Sequence, residues 1–236
     1  MSRHKTDHRP SKRVSPPFNR AQQRRTLGMS RVQSIGMGLF LAGLFILALS
    51  AASMLYGGDD KNGLPNLGTA PEWSLTDRNG NAFTSEQAEG KPYIALFYFL
   101  QCRGVCPAML GTMKQLDATI AQSDLKDKAR IIGMSIDGER DTPESLNSYF
   151  NTTALTNGIT QLLTGPQETV WQIANAGFKL AVERNTAPNL TAGLEINHTG
   201  RFVLVDKQGR IRGYYDNEDP AQLQQLLEDL NSLAKQ

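Results

Sequence analysis

An unbroken apolar run, Tyr93 to Leu100, leads straight into Cys102-Arg103-Gly104-Val105-Cys106-Pro107. That junction constrains the fold more than any other stretch. Eight apolar residues in a row mark a strand covered on both faces. The residues after it have helical spacing, with Met109, Met113, Leu116 and Ile120 on one face. A buried strand turning into a helix is the unit of α/β folds. The two cysteines of the 236-residue chain both stand at this turn. Two thiols four residues apart can cycle between dithiol and disulfide, or hold a soft metal ion.

The rest of the domain alternates in the same way. Glu72 to Leu75 and Ala82 to Thr84 flank Asp77-Arg78-Asn79-Gly80, a hairpin signal. Pro92 to Phe99 and Arg130 to Ile136 read as buried strands. Thr142-Pro143 opens a helix to about Tyr149, since Thr is a good N-cap and Pro suits the first helical position. Ile159 to Leu163 reads as a short strand and Pro166 to Ala176 as a helix. Gly200 to Val205 and Ile211 to Tyr215 form a hairpin around Lys207-Gln208-Gly209. Ala221 to Ala234 is a closing amphipathic helix built on leucines. This order predicts an α/β sandwich with helices on both faces.

Ahead of this domain the chain changes character. Val32 to Gly58 holds no charged residue across 27 positions. At about 1.5 Å per residue the run reaches roughly 40 Å, more than the ~30 Å hydrocarbon core. Met1 to Arg31 carries nine Lys/Arg and one Asp, a net +8 in a chain whose total is +2, so the remainder carries −6. The positive-inside rule then keeps the basic arm in the cytoplasm and exports the chain beyond Gly58. A cleaved signal peptide has a shorter apolar core and a shorter basic region, so a retained single-pass anchor is the preferred reading. A transit peptide shares the Arg-rich, acid-poor composition, and the corresponding place would be the mitochondrial inner membrane, facing the intermembrane space. The arm serves as an orientation signal attracted to anionic lipid, and no nucleic-acid partner is expected. The organisation predicted is a basic arm (1–31), a transmembrane helix (32–58), a flexible Gly-, Asp- and Asn-rich tether (59–70) and one domain (71–236).

A helix that begins at Cys106 places both thiols at its positive end, where unpaired N–H groups and the helix dipole stabilise thiolate. Arg103 is expected to push the same way. A plain stabilising disulfide suits an exported domain, but one closing so short a loop constrains the unfolded chain little. Of three histidines, His4 and His8 lie in the basic arm, and His198 alone falls in the domain, just before a strand. Two thiolates and one imidazole suit Cu(I), and also Cu(II) or Zn(II). A structural zinc site normally has a fourth ligand. Met109 and Met113, at helical spacing, read as core. Arg140 and Asp141 read as a neighbouring ion pair.

Three stretches carry a family resemblance: Cys102 to Pro107; Met134-Ser135-Ile136-Asp137-Gly138-Glu139-Arg140-Asp141-Thr142-Pro143; and His198 with Phe202 to Tyr215. Together, in this order, they resemble the Sco/SenC family, membrane-anchored thioredoxin-like copper proteins that help assemble cytochrome c oxidase. The resemblance implies a thioredoxin-like three-layer sandwich, with Cys102, Cys106 and His198 as copper ligands. Asp137 matches the family's acidic residue near the site, and Arg103 stands beside the ligands. The family usually has Pro where this chain has Arg103 and Gly138, and often Thr where it has Leu100.

Two functions are implied. One is a copper metallochaperone at the bacterial inner membrane, its domain in the periplasm, serving the copper-receiving subunit of cytochrome c oxidase. The other is a thiol–disulfide oxidoreductase acting on other exported thiol proteins, with Cys102 and Cys106 as the redox pair. Thioredoxin-like oxidoreductases generally carry a Pro before the strand facing the redox motif and use two residues between the cysteines. Asn189 to Asp219 has no Pro, and three residues separate the cysteines here.

Overall fold

The computed structural model describes residues 63–235, together with Gly43 and Phe45. The chain divides into two units, Met1–Gly57 and Gly58–Gln236. Among the described residues no helix is long and apolar enough to cross a membrane. The span expected at 32–58 lies outside them, apart from those two residues.

The second unit is a mixed α/β domain. A hairpin of β1 (Ser74–Asp77) and β2 (Ala82–Thr84) leads into a single turn, α1 (Ser85–Ala88). Strand β3 (Tyr93–Tyr98) is buried at every position, as its apolar run requires. It passes through α2 (Cys106–Ala121) to β4 (Arg130–Ser135), then through α3 (Pro143–Thr152) to β5 (Thr160–Thr164). The strands β3, β4 and β5 pair in parallel, so each connection is a helical crossover. Helix α4 (Gln167–Gln172) runs on into a π turn, Ile173–Gly177, in which the N–H of Phe178 bonds the carbonyl of Ile173.

Two short strands come next, β6 (Val182–Arg184) and β7 (Ile196–His198), forming a separate antiparallel pair. The hairpin β8 (Arg201–Val205) and β9 (Ile211–Asp216) then rejoins the main sheet, and α5 (Pro220–Ala234) closes the chain. The sheet order is β2-β1-β5-β4-β3-β8-β9.

Local chemistry starts α3 where the sequence predicts and α5 one residue before the predicted Ala221. Thr142 caps α3 by accepting from the N–H of Ser145 at 3.3 Å. Asp219 caps α5, accepting from Ala221 and Gln222 at 3.0 and 3.3 Å. Met109 and Met113 are fully buried in the core. The stretch read as a tether is fixed over its second half. Leu67 and Ala70 donate to the carbonyls of Ile211 and Gly209, and Gly68 accepts from Ile211. Those bonds occupy backbone groups along the start of β9, and a paired backbone cannot be a free linker.

The topology explains why one sheet end carries the chemistry. Tyr98 is level with Ser135 across β3 and β4, so the cysteine turn and Asp137 leave the sheet together. Strand β8 runs antiparallel to β3, with Val203 opposite Ala95. It therefore begins where β3 ends and delivers His198 to the same place. Open α/β sheets bind ligands beyond the carboxyl ends of their parallel strands.

Candidate metal centre

The cysteine turn is built from backbone bonds. The Cys102 N–H reaches back to the carbonyl of Phe99, and Leu100 N–H donates to Asp141 Oδ2 at 3.0 Å. Helix α2 starts at Cys106 with no side-chain cap on Val105 and with Pro107 in its first turn. Beside it the Cys102 sulfur accepts from Gly104 N–H at 3.4 Å. A sulfur at a helix start meets unpaired N–H groups and the positive end of the dipole.

His198 brings its Nε2 to 2.9 Å from the Cys106 sulfur and 4.0 Å from that of Cys102. Its Nδ1 lies 3.2 Å from the carbonyl of Thr199. That contact places the ring proton on Nδ1, and the Nε2 lone pair then faces both sulfurs. Phe99 holds the imidazole edge to face, with centroids 6.0 Å apart. The three donor atoms all lie within 4.8 Å of one another. Both thiols are free.

The two sulfurs differ. A hydrogen bond from the Cys106 thiol, opposed by burial and helped by the turn's N–H groups, holds Cys102 down to about 4. Cys106 is pushed strongly upward, first because it gives that hydrogen bond and then by burial. Cys102 is therefore the thiolate and Cys106 keeps the proton. The Arg103 side chain, expected to press Cys102 the same way, is exposed and is not among these causes. Two sulfurs and a neutral imidazole form the kind of donor set that soft copper ions take. A cleft of about 200 Å³, lined by Cys102, Val105, Leu194 and His198, opens beside them.

Asp137 is buried at the end of β4, where Trp171 Nε1 donates to the carbonyl of the preceding Ile136 at 2.8 Å. Its carboxylate is turned to Arg140. The pairing of Arg140 with Asp141 expected from the sequence does not occur. Arg140 bridges Asp137 and Glu195, while Asp141 turns inward and accepts from Ser135 Oγ at 2.6 Å and from Leu100. A buried carboxylate with two neutral donors satisfies the turn, while the part-exposed guanidinium serves the loop outside. No sequence signal singles out Glu195. It stands 55 residues from Arg140, with no local pattern to link them.

A mixed sheet that gathers two thiols and an imidazole at one end defines a class of small metal-binding or thiol-active α/β domain. The SCO1/SenC family profile matches residues 63–235, and the chain belongs to that family. The SCO1 protein homolog of Bacillus subtilis is 25% identical over 192 residues, covering 81% of this chain and 93% of that protein. A SCO1/SenC family lipoprotein from Bacillus anthracis has the same fold, with a TM-score of 0.61 at 23% identity, over 70% of this chain and 95% of that one. Arabidopsis thaliana ScoI, solved with copper bound, has a TM-score of 0.59 at 17% identity, over 72% of this chain and all of that one.

Proposed function

We propose that this chain is a copper metallochaperone. It holds copper through Cys102, Cys106 and His198 and delivers it to the dinuclear copper site of cytochrome c oxidase. The observation that carries the reading is the convergence of the three donor atoms within 4.8 Å. Copper-bound Sco relatives share the fold, and family membership supports the client. Cys102 supplies a ready thiolate, His198 offers Nε2 as its unprotonated nitrogen, and Cys106 gives up its proton as metal binds. In this reading residues 32–58 anchor the protein in a bacterial inner membrane and the domain works in the periplasm as a thioredoxin-like sandwich.

One observation favours a second reading. A thiolate beside a protonated thiol is also the pair that thiol–disulfide exchange uses. There the dithiol would pass two electrons to a client disulfide and become the Cys102–Cys106 disulfide. The experiment mixes the copper-loaded full chain with the copper-free, reduced copper-receiving subunit, and separately the copper-free reduced chain with the oxidised subunit. Copper appearing on the subunit in the first mixture supports the chaperone. Disulfide reduction in the second with no copper movement in the first moves the assignment to the oxidoreductase.

A further inference from the structure

The histidine and the cysteines come from different parts of the chain, and two ties hold them in register. The connection between β6 and β7 passes over the cysteine turn. At Gly193 its carbonyl accepts the Arg103 N–H at 3.0 Å. Gly193 has φ +92°, and a Cβ there would lie 2.3 Å from the carbonyl oxygen of Gln101 and 2.9 Å from Arg103 Cγ. The backbones meet so closely that only glycine fits. The second tie is Glu195. Its Oε2 accepts from Gly193 N–H at 2.8 Å, and its two oxygens face Nη1 and Nη2 of Arg140 at 3.4 Å each. Arg140 in turn is held by the buried Asp137 at the end of β4. The guanidinium also lies 5.8 Å from the centre of Phe99, the ring that packs on His198.

We propose that Arg140 and Glu195 are positioning residues for the metal centre. They clamp the β6–β7 connection to the sheet end and so set where His198 stands relative to Cys102 and Cys106. This rests on the copper reading above. The pair touches none of the three donors, and His198 comes three residues after Glu195, at the end of β7. Losing the Glu195–Arg140 contact removes the side-chain tie between the start of β7 and the sheet end, while the Gly193–Arg103 backbone bond remains. The effect should fall on the ligand that this connection carries. Cu(II), which needs the imidazole, should feel it. Cu(I), which two thiolates can hold, should feel it little.

The test uses the full reduced chain in detergent, titrated with Cu(II) while the sulfur-to-copper charge-transfer band is recorded. Glu195→Gln keeps the shape and an acceptor for Gly193 but removes the charge that Arg140 pairs with. Arg140→Lys keeps a cation for Asp137 but loses the two-pronged contact. Each should weaken Cu(II) by about 10-fold, the size typical of groups that orient ligands, and shift the band. Cu(I) affinity and the melting temperature should stay near those of the wild type. The double variant should be no weaker than the weaker single. Unchanged Cu(II) affinity and band in both singles would overturn the proposal, as would losses that add in the double or that track a lower melting temperature. Should the wild type itself bind no Cu(II), the copper reading fails, and the clamp with it.

Discussion

Nε2 of His198 stands 2.9 Å from the sulfur of Cys106, across 92 residues of sequence. The contact exists because β8 runs antiparallel to β3 and starts where β3 stops. It sets the imidazole Nε2 against the more deeply buried sulfur, and Cys102 is the less buried of the two, at 9% against 0% for Cys106.

That asymmetry predicts the order of alkylation. The folded value of Cys102 is depressed to about 4 by the Cys106 hydrogen bond, so it is thiolate throughout the neutral range. Iodoacetamide should label Cys102 before Cys106 from pH 6 to 8, at a rate that declines only as pH falls toward 4. Peptide mapping of the reduced chain reads this directly. Faster labelling of Cys106, or a Cys102 rate still climbing above pH 8, would contradict it.

Asp141 predicts a pH dependence of stability. Burial raises its pKa, against the pull of its bonds from Ser135 and Leu100. A raised carboxyl favours folding in its neutral form. Its contribution is full below the unfolded value of about 3.9 and declines as pH rises through the folded value. Asp141→Asn lacks that dependence. The stability of the wild type minus that of the variant should therefore decrease as pH rises from about 4. Urea unfolding of both proteins over a pH series checks the sign, and an increasing difference would refute the assignment.

Gly138 sits where a side chain has no room. A Cβ at Gly138 would lie 1.8 Å from the carbonyl oxygen of Gly165, a backbone atom that cannot swing aside. Gly138→Ala should destabilise the domain by about 1–3 kcal/mol, as overpacking does. Chemical denaturation measures it, and a neutral result would mean that the loop after β5 yields freely.

Much of the fold was legible because long elements carry strong periodic signals. The unbroken run of β3, the Met109–Met113–Leu116–Ile120 face of α2 and the Thr142-Pro143 helix start all read directly. The parts that escaped have physical reasons. Strands β6 and β7 are three residues each, too short to show an alternation. The π turn after Gln172 differs from an α-helix in hydrogen-bond register, which side-chain spacing does not display. The candidate donors stood out as rare residue types in one domain. Their supports did not, because Glu195 and Asp141 are ordinary carboxylates until the fold brings Arg140 and Leu100 to them.

The +8 arm and the charge-free run predict a cytoplasmic N-terminus and an exported domain. A reporter that folds only in an oxidising compartment, fused after Gln236, should be active. Activity of a cytoplasm-only reporter at that end would reverse the orientation.

The most direct test of the copper reading is His198→Ala in the full reduced chain, with parallel copper and redox titrations. The account predicts that Cu(II) binding weakens strongly and the sulfur-to-copper colour disappears, while Cu(I) is held by the two thiolates and the Cys102–Cys106 disulfide still forms and is reduced. Unchanged Cu(II) affinity and colour in the alanine variant would remove His198 from the ligand set and leave a thiol–disulfide oxidoreductase.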